Sequence, residues 1–585
     1  MRIKLHTLLV GASCALLPLS TYAEITDFSF ISQIALPGGG EVVSYTGHEF
    51  TIATTFYTGI AGTQAVNLYS LQAGGSAAFR AGVNLSSVFG AANTLSITSV
   101  ALDPSGRGFG VATIVPVANT TTFGKLAFFD YTTTFAGPSR LLHSIDVGYH
   151  PDSVTFSADG SRLIIANEGE ANGGTNAAND GSNALGSLSV VNLSSITAAS
   201  QVTSITAPGV IDFSAGNLAD TASLFGIRNP FITAVSTAAQ TGNSAGQTAL
   251  NSAVPDFTLP ANISIDVEPE YGVIHGDKAY ISLQENNAIA VLNLTGPNAN
   301  KITAIHNLGT ITQTIDATDN DGVANINQSV KGLPMPDTIS VVTIGGVDYI
   351  VTANEGDFRE DERDGSRFGA AGVSALLDNN YPTGATGVRT NANLGRLNIS
   401  RIDGDTDNDG LIDEIRMIGT RSFSIWNAET GALVGDTGNL EPLLLTLDPS
   451  RHNINREGIT IDNRSDDKGP EPEALSVFTF GLKTYLVGGL ERQNGLVIFD
   501  ISNPASPVFV DYVNGANNGL ISPESLLFIN PLLSPDGQAY ILAGFEGSSS
   551  GANAGIGIYA VPEPTTAVLL GLTAAGAFFG RRRRK

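Results

Sequence analysis

The 585-residue chain holds one cysteine, one tryptophan, three methionines and seven histidines. The cysteine, Cys14, sits in the leader "MRIKLHTLLVGASCALLPLSTYAEI". Its two basic residues, apolar run from Leu8 to Leu19 and small-residue ending Thr21-Tyr22-Ala23 read as a signal peptide over 1–23. Removing it leaves no thiol, which excludes disulfides and thiolate zinc sites and demands a large apolar core instead. Basic residues are also scarce. Seven of the 30 Lys and Arg and one of the 55 Asp and Glu lie in the two chain ends, so residues 24–560 keep 23 basic and 54 acidic side chains, a formal charge of −31. Such a surface repels nucleic acid and anionic membrane and attracts cations. Long amphipathic helical patterns are missing as well: short runs of Val, Ile, Thr, Phe and Tyr alternate with Gly, Asn, Asp and Ser, which favours strands and loops.

What is present begins at the far end. The segment 561–585, "VPEPTTAVLLGLTAAGAFFGRRRRK", has a motif Pro562-Glu563-Pro564, 15 uncharged residues from Thr565 to Phe579, and five basic residues from Arg581 to Lys585. The apolar run is short for a bilayer crossing of about 20 residues, and the basic cluster would stay cytoplasmic. The three-part pattern resembles the PEP-CTERM sorting signal of Gram-negative surface proteins. That resemblance implies export, a membrane-held C-terminal anchor helix before processing, and transfer by an exosortase-type sorting enzyme to the cell surface or extracellular matrix.

Between the ends, one unit recurs. It is clear in "PDSVTFSADGSRLIIANEGE" from Pro151, "PEYGVIHGDKAYISLQENNAIAVLNL" from Pro269, "PDTISVVTIGGVDYIVTANEGDF" from Pro336, "REGITIDN" from Arg456 running through an acidic insertion into "PEALSVFTFGLKTYLVGGLERQNGLVIFDI", and "PESLLFINPLLSPDGQAYILAGFEG" from Pro523. Fainter relatives start at His48 and Asn93. Each unit reads as an acidic residue, a strand, a turn, a second strand, a glutamate and usually a third strand, with hairpin turns at Asp159-Gly160 and Asp536-Gly537. Short antiparallel sheets repeated along a chain predict an all-β fold, a seven-bladed β-propeller over 24–560 with long inserted loops.

The tetrapeptide Ala-Asn-Glu-Gly ends a second strand twice, at 166–169 and 353–356. Its glutamate has a counterpart in every clear unit: Glu168, Glu285, Glu355, Glu491 and Glu546. A second acid opens the units: Asp152, Glu270, Asp337, Glu457 and Glu524. The start of one hairpin strand lies beside the end of the next, so both acids of each blade are expected on one rim. Ten carboxylates at one mouth demand cations, raised pKa values, hydrogen bonds or arginines. Hard oxygen donors suit calcium, then magnesium or manganese. Arg162, Arg359, Arg456 and Arg492 are near enough in sequence to pair with some acids, and capping of turn amides by the glutamates is the alternative.

A separate motif, "DGDTDNDGLIDE" at 403–414, places Asp405, Asp407, Asp409 and Asp413 at the spacing of an extracellular calcium loop, although Arg416 stands where an EF-hand has its bidentate glutamate. "DATDNDG" at 316–322 is a thinner version. The ordered stretches from Pro151, Glu268, Asp337, "GTRSFSIWNAETG" at Gly419 and "GPEPEALSVFTFGLKTYLVGGLERQNGLVIFDISNP" at Gly469 resemble the choice-of-anchor I domain family. That resemblance implies a surface-protein propeller, labelled alkaline-phosphatase-like in some members. Two functions follow as expectations. One is an exported surface module that binds divalent cations and a protein or glycan ligand. The other is a metal-dependent phosphoester hydrolase, for which His452 with Arg451 and Arg456 is the best basic cluster to hold a phosphate and His275 a weaker ligand candidate.

Overall fold

A computed structural model describes residues 25–561 apart from 26, 37–38, 40–41, 57–64, 91–94, 117–121, 138, 170–183, 220–227, 229–262, 359–363, 379–386 and 408–410. The leader, Arg359, Asp409 and the Pro562-Glu563-Pro564 tail with its expected anchor helix lie outside the described residues. Among the described residues no helix is long and apolar enough to cross a membrane.

The regular secondary structure of the described residues is almost entirely β-strand. Four antiparallel strands in chain order make each of six sheets, which begin at Val43, Leu95, Pro151, Pro269, Ile339 and Pro472. A seventh begins at Pro523 and is completed by the N-terminal strand Ser29–Ala35, which pairs with Gly555–Val561 and ties the two ends of the domain together. The inner strands are rich in Ile, Leu and Ala because both faces are covered: Arg162–Asn167, Lys278–Leu283 and Ala539–Phe545 are buried nearly end to end.

Each sheet packs on the next through its own apolar cluster. Ile164 and Ile281 join the third and fourth sheets, Tyr280 and Ile350 the fourth and fifth, Phe423 and Leu486 the fifth and sixth, Val487 and Ile541 the sixth and seventh. Ile52 and Leu542 then join the seventh back to the first. Each fully buried aliphatic side chain in these layers contributes about 1.5–3 kcal/mol. The circuit of face-packed sheets closes on itself, which makes the fold propeller-like.

Two features depart from the repeat. A five-stranded sheet (Ile311–Ile315, Gln328–Leu333, Arg416–Ile418, Asn398–Ser400, Gly365–Arg367) is assembled from the connection before the fifth sheet and from a long excursion inside it. It has its own core around Phe368, Leu397 and Met417. The second departure corrects the sequence reading: Arg456–Asn463 is not a strand. The sixth sheet starts at Pro472–Phe480, and Ile459, the apolar centre of the expected strand, is 93% exposed because no neighbour covers it.

Candidate metal centre

The acids reach one place through a repeated local device. In the third, sixth and seventh sheets a proline opens the first strand and the ladder slips at the acidic residue that follows: Pro151 pairs with Asn167 and Ser153 with Ala166, Pro472 with Leu490 and Leu475 with Gly488, Pro523 with Phe545 and Ser525 with Gly544. The fourth sheet slips likewise between Pro269 and Gly272. Proline cannot donate to the ladder, and the bulge after it re-aims the carboxylate out of the sheet. The residue before the proline takes a left-handed backbone in four sheets, at His150, Met335, Glu471 and Ser522, with φ of 41°, 45°, 54° and 63°. Non-glycine residues held there carry backbone strain, which clusters at functional sites.

The glutamates come from the turn after the second strand. Glu168 N–H donates to His150 O (2.9 Å), Glu491 N–H to Glu471 O (2.8 Å) and Glu546 N–H to Ser522 O (2.9 Å), so each glutamate is fastened to the residue that precedes the proline. Three residues of the repeated Ala-Asn-Glu-Gly have distinct structural roles. Asn354 is buried, and its amide donates to Thr420 Oγ1 (2.8 Å) and Ser424 Oγ (2.7 Å), as Asn167 does to Ser187 and Ser189. The glutamate turns into the mouth. Gly169 and Gly356, at φ of 85° and 79°, let the backbone pass so close that a Cβ would lie 2.5 and 2.2 Å from Gly186 N and Gly419 N.

These devices build a cavity of about 400 Å3 lined by Asp152, Glu168, Glu270, Glu285, Asp337, Glu355, Glu491, Glu524 and Glu546, together with Asp357 and Glu473. Nine of the ten rim acids expected from sequence are therefore brought together. The tenth, Glu457, is not: it lies on the exposed stretch 457–460 and accepts from Ser549 N–H. Its place is taken by Glu473, whose Pro472-Glu473 dipeptide carries the same signal as Pro151-Asp152 but follows the acidic insertion. The first two sheets present Val42 and Thr98 at the corresponding positions, which is why their units look faint.

Carboxylate oxygens gather in threes within 4.8 Å of one another: Asp152, Glu168 and Glu270; Asp337, Glu355 and Glu473; Glu491, Glu524 and Glu546; and Glu355, Glu471 and Glu491. Each triad bridges neighbouring sheets. The last is neutralised from within, because Lys468 pairs with Glu355, and Glu471 takes Arg464 and Arg492. Arg456 pairs with Glu546 and stands 3.6 Å from Glu491, while His150 Nδ1 meets Glu168. Among the described residues no basic side chain pairs with Glu270, Glu285, Asp337 or Glu473. Burial, reinforced by neighbouring carboxylates, holds the carboxyl groups of these four well above the usual range. Burial followed by Glu471 pushes Glu491 up to about 8, and burial raises Asp357 to about 6 against the pull of Lys468. Glu285 Oε2 and Glu473 Oε2 have no hydrogen-bond partner, and Glu285 is 6% exposed. Donors consisting wholly of oxygen fit a hard divalent cation.

The other expected sites fare differently. Asp405, Asp407 and Asp413 do converge within 4.8 Å, and Thr406 donates to Asp413 Oδ2 from both N–H (2.8 Å) and Oγ1 (2.7 Å). The phosphate cluster does not form. His452 is buried against Asp316 (3.2 Å), Arg451 pairs with Asp448 (2.8 Å), and Arg456 turns to the acidic cavity. His275 ends a strand and lies 3.2 Å from Asp348 Oδ1.

Residues 41–504 match the model of the choice-of-anchor I domain. The chain belongs to that family. The choice-of-anchor I match takes in every cavity acid except Glu524 and Glu546. A PEP-CTERM protein-sorting motif matches residues 560–584, the mark of an exported surface protein handled by an exosortase-type sorting enzyme. Gigasin-3a of Magallana gigas is 26% identical over 185 residues, which cover 28% of this chain and 64% of that protein. Among solved structures, the WD40 domain of Toxoplasma gondii coronin aligns with a TM-score of 0.42 at 8% identity, covering 92% of this chain and 88% of that one. The periplasmic gluconolactonase of Pseudomonas aeruginosa aligns at 0.40 and 11%, covering 88% and 99%.

Proposed function

We propose that residues 24–560 form a seven-bladed propeller displayed at the cell surface or in the extracellular matrix, with divalent cations bound in the acidic cavity at its centre. The seven four-stranded sheets are the blades, and the five-stranded sheet stands outside the ring. Segment 1–23 is the leader and 561–585 the sorting tail. The observation that carries the reading is Glu285, a nearly buried carboxylate with one oxygen unpartnered, in a cavity where acids greatly outnumber bases. Leaving such a group unmet costs several kcal/mol, and a cation offsets that cost. Calcium fits best, with magnesium or manganese next. Ions held by Asp152, Glu168, Glu270 and Glu285 on one side, and by Asp337, Glu355 and Glu473 on the other, keep open coordination positions for oxygens of a protein or glycan ligand.

A surface module is favoured over phosphoester hydrolysis. The triad of Glu355, Glu471 and Glu491, which would link two ions into a close pair about 3.5–4 Å apart, is already occupied by Lys468, Arg464 and Arg492. The test is to assay the calcium-loaded and manganese-loaded protein against phosphomonoesters and phosphodiesters with and without chelator. The reading expects bound metal and no turnover. Turnover abolished by chelator with the fold intact would replace the module with the hydrolase.

A further inference from the structure

Away from the central cavity, the segment between the fifth and sixth sheets meets the loop 316–325 of the five-stranded sheet in a fully buried polar cluster: Asp316, Arg421, Glu441, His452, Asn453, Asp462 and Ser465, all at most 1% exposed. Five of its polar atoms have no hydrogen-bond partner: Asp316 Oδ1, Asp462 Oδ1, Asn453 Oδ1, His452 Nδ1 and Arg421 Nε. Buried polar groups are normally satisfied, so a concentration of orphans in one network marks something that belongs there.

The charges say what kind of thing. Arg421 is claimed by Glu441 and by the carbonyls of Asp316, Ser465 and Asp467. That leaves two buried carboxylates, and among the described residues the only basic side chain paired with either is His452, 3.2 Å from Asp316 Oδ2. The two acids are tied to one loop in the same manner. Asn325 N–H donates to Asp316 Oδ2 (2.8 Å) and Gly322 N–H to Asp462 Oδ2 (3.0 Å), so in each acid one oxygen is satisfied by the loop and the other is left bare. Waters can satisfy the lone His452 and Arg421 nitrogens, but water supplies no counter-charge where two buried carboxyl groups face one histidine.

We propose that this junction is a second cation site, in which a divalent ion of the hard, oxygen-seeking class is held by Asp316 Oδ1 and Asp462 Oδ1 with Asn453 Oδ1 as the neutral oxygen at hand. The ion pins the 316–325 loop to the 452–465 turn. It is therefore a clamp between the five-stranded sheet and the segment that leads on to Lys468 and Glu471 at the central cavity. The "DATDNDG" motif is then half of a site rather than a self-contained loop. Its Asp319 is spent on Arg396 (2.7 Å), and its Asp321 is exposed.

The site stands independently of the cavity and is tested independently. Bound calcium is measured by elemental analysis, after dialysis against buffered calcium, in the full-length protein, in a junction variant Asp316→Asn with Asp462→Asn, and in a cavity variant Glu270→Gln with Glu473→Gln. The junction variant is expected to lose one equivalent relative to the parent and the cavity variant to retain that equivalent. An unchanged calcium content in a folded junction variant overturns the proposal. Should the junction variant not fold, crystals of the parent soaked in manganese decide: an anomalous peak between Asp316 and Asp462 supports the site, and ordered water without a peak overturns it.

Discussion

Asp337 precedes the first strand of the fifth sheet, Glu473 opens the sixth, and a carboxylate oxygen of each lies within 4.8 Å of the other inside the cavity, with Glu355 in the same triad. Burial, then the neighbouring carboxylates, favour the protonated form of Asp337 and Glu473, and a cation entering the triad must displace the proton held there. Binding of calcium near neutral pH is thus expected to release protons. Calorimetry in buffers of different ionisation enthalpy measures that release, and a binding heat independent of the buffer would count against this account of the triad.

The same acids set the pH dependence of the metal-free protein. Folding raises Glu491 from 4.5 to about 8 and Asp357 from 3.8 to about 6, so the folded state holds more protons than the unfolded state between those values. Their contribution is complete below the unfolded values and is lost as pH rises through the folded ones. Melting temperature in chelator is expected to fall from pH 5 to pH 8, and saturating calcium to flatten that fall. A chelated protein that melts at the same temperature across this range would refute the prediction.

Lys468 is the built-in counter-ion of the cavity. Its side chain is 10% exposed and faces Glu355 and Glu471. Lys468→Met leaves buried carboxylates without it, at a cost of about 3–5 kcal/mol in chelator. Denaturant unfolding should show that loss and its partial recovery in calcium, because the vacated place can then accept an ion.

Glu457→Ala should change neither cation binding nor stability by more than about 0.5 kcal/mol, since its residue lies on an exposed segment outside the cavity. Titration calorimetry and unfolding of the variant check both halves.

Glu457 also shows where sequence reasoning stops. The repeated Pro-acid strand start, the fixed glutamate after the second strand and the Asp-Gly hairpins at 159–160 and 536–537 are local signals, and they expose the sheets and most of the cavity directly. The sixth unit misleads because "REGITIDN" alternates like a strand while nothing in the fold covers Ile459; only the neighbours decide that. The five-stranded sheet is invisible for a related reason, as its strands come from segments far apart and Arg416–Ile418 joins Lys331–Leu333 in parallel. Lys468 and Arg464 could not be assigned to the mouth because they arrive from outside the repeat. The left-handed residues before proline run against the local preference and are held by backbone hydrogen bonds from the turn after the second strand, which the sequence pattern does not display.

The most direct test of the central claim is calorimetric titration of calcium into chelator-stripped protein, parent against Glu270→Gln with Glu473→Gln. The account predicts binding in the parent that is lost from the cavity in the variant, with the fold unchanged by circular dichroism. Equal binding by the two proteins, or none by the parent, would contradict it.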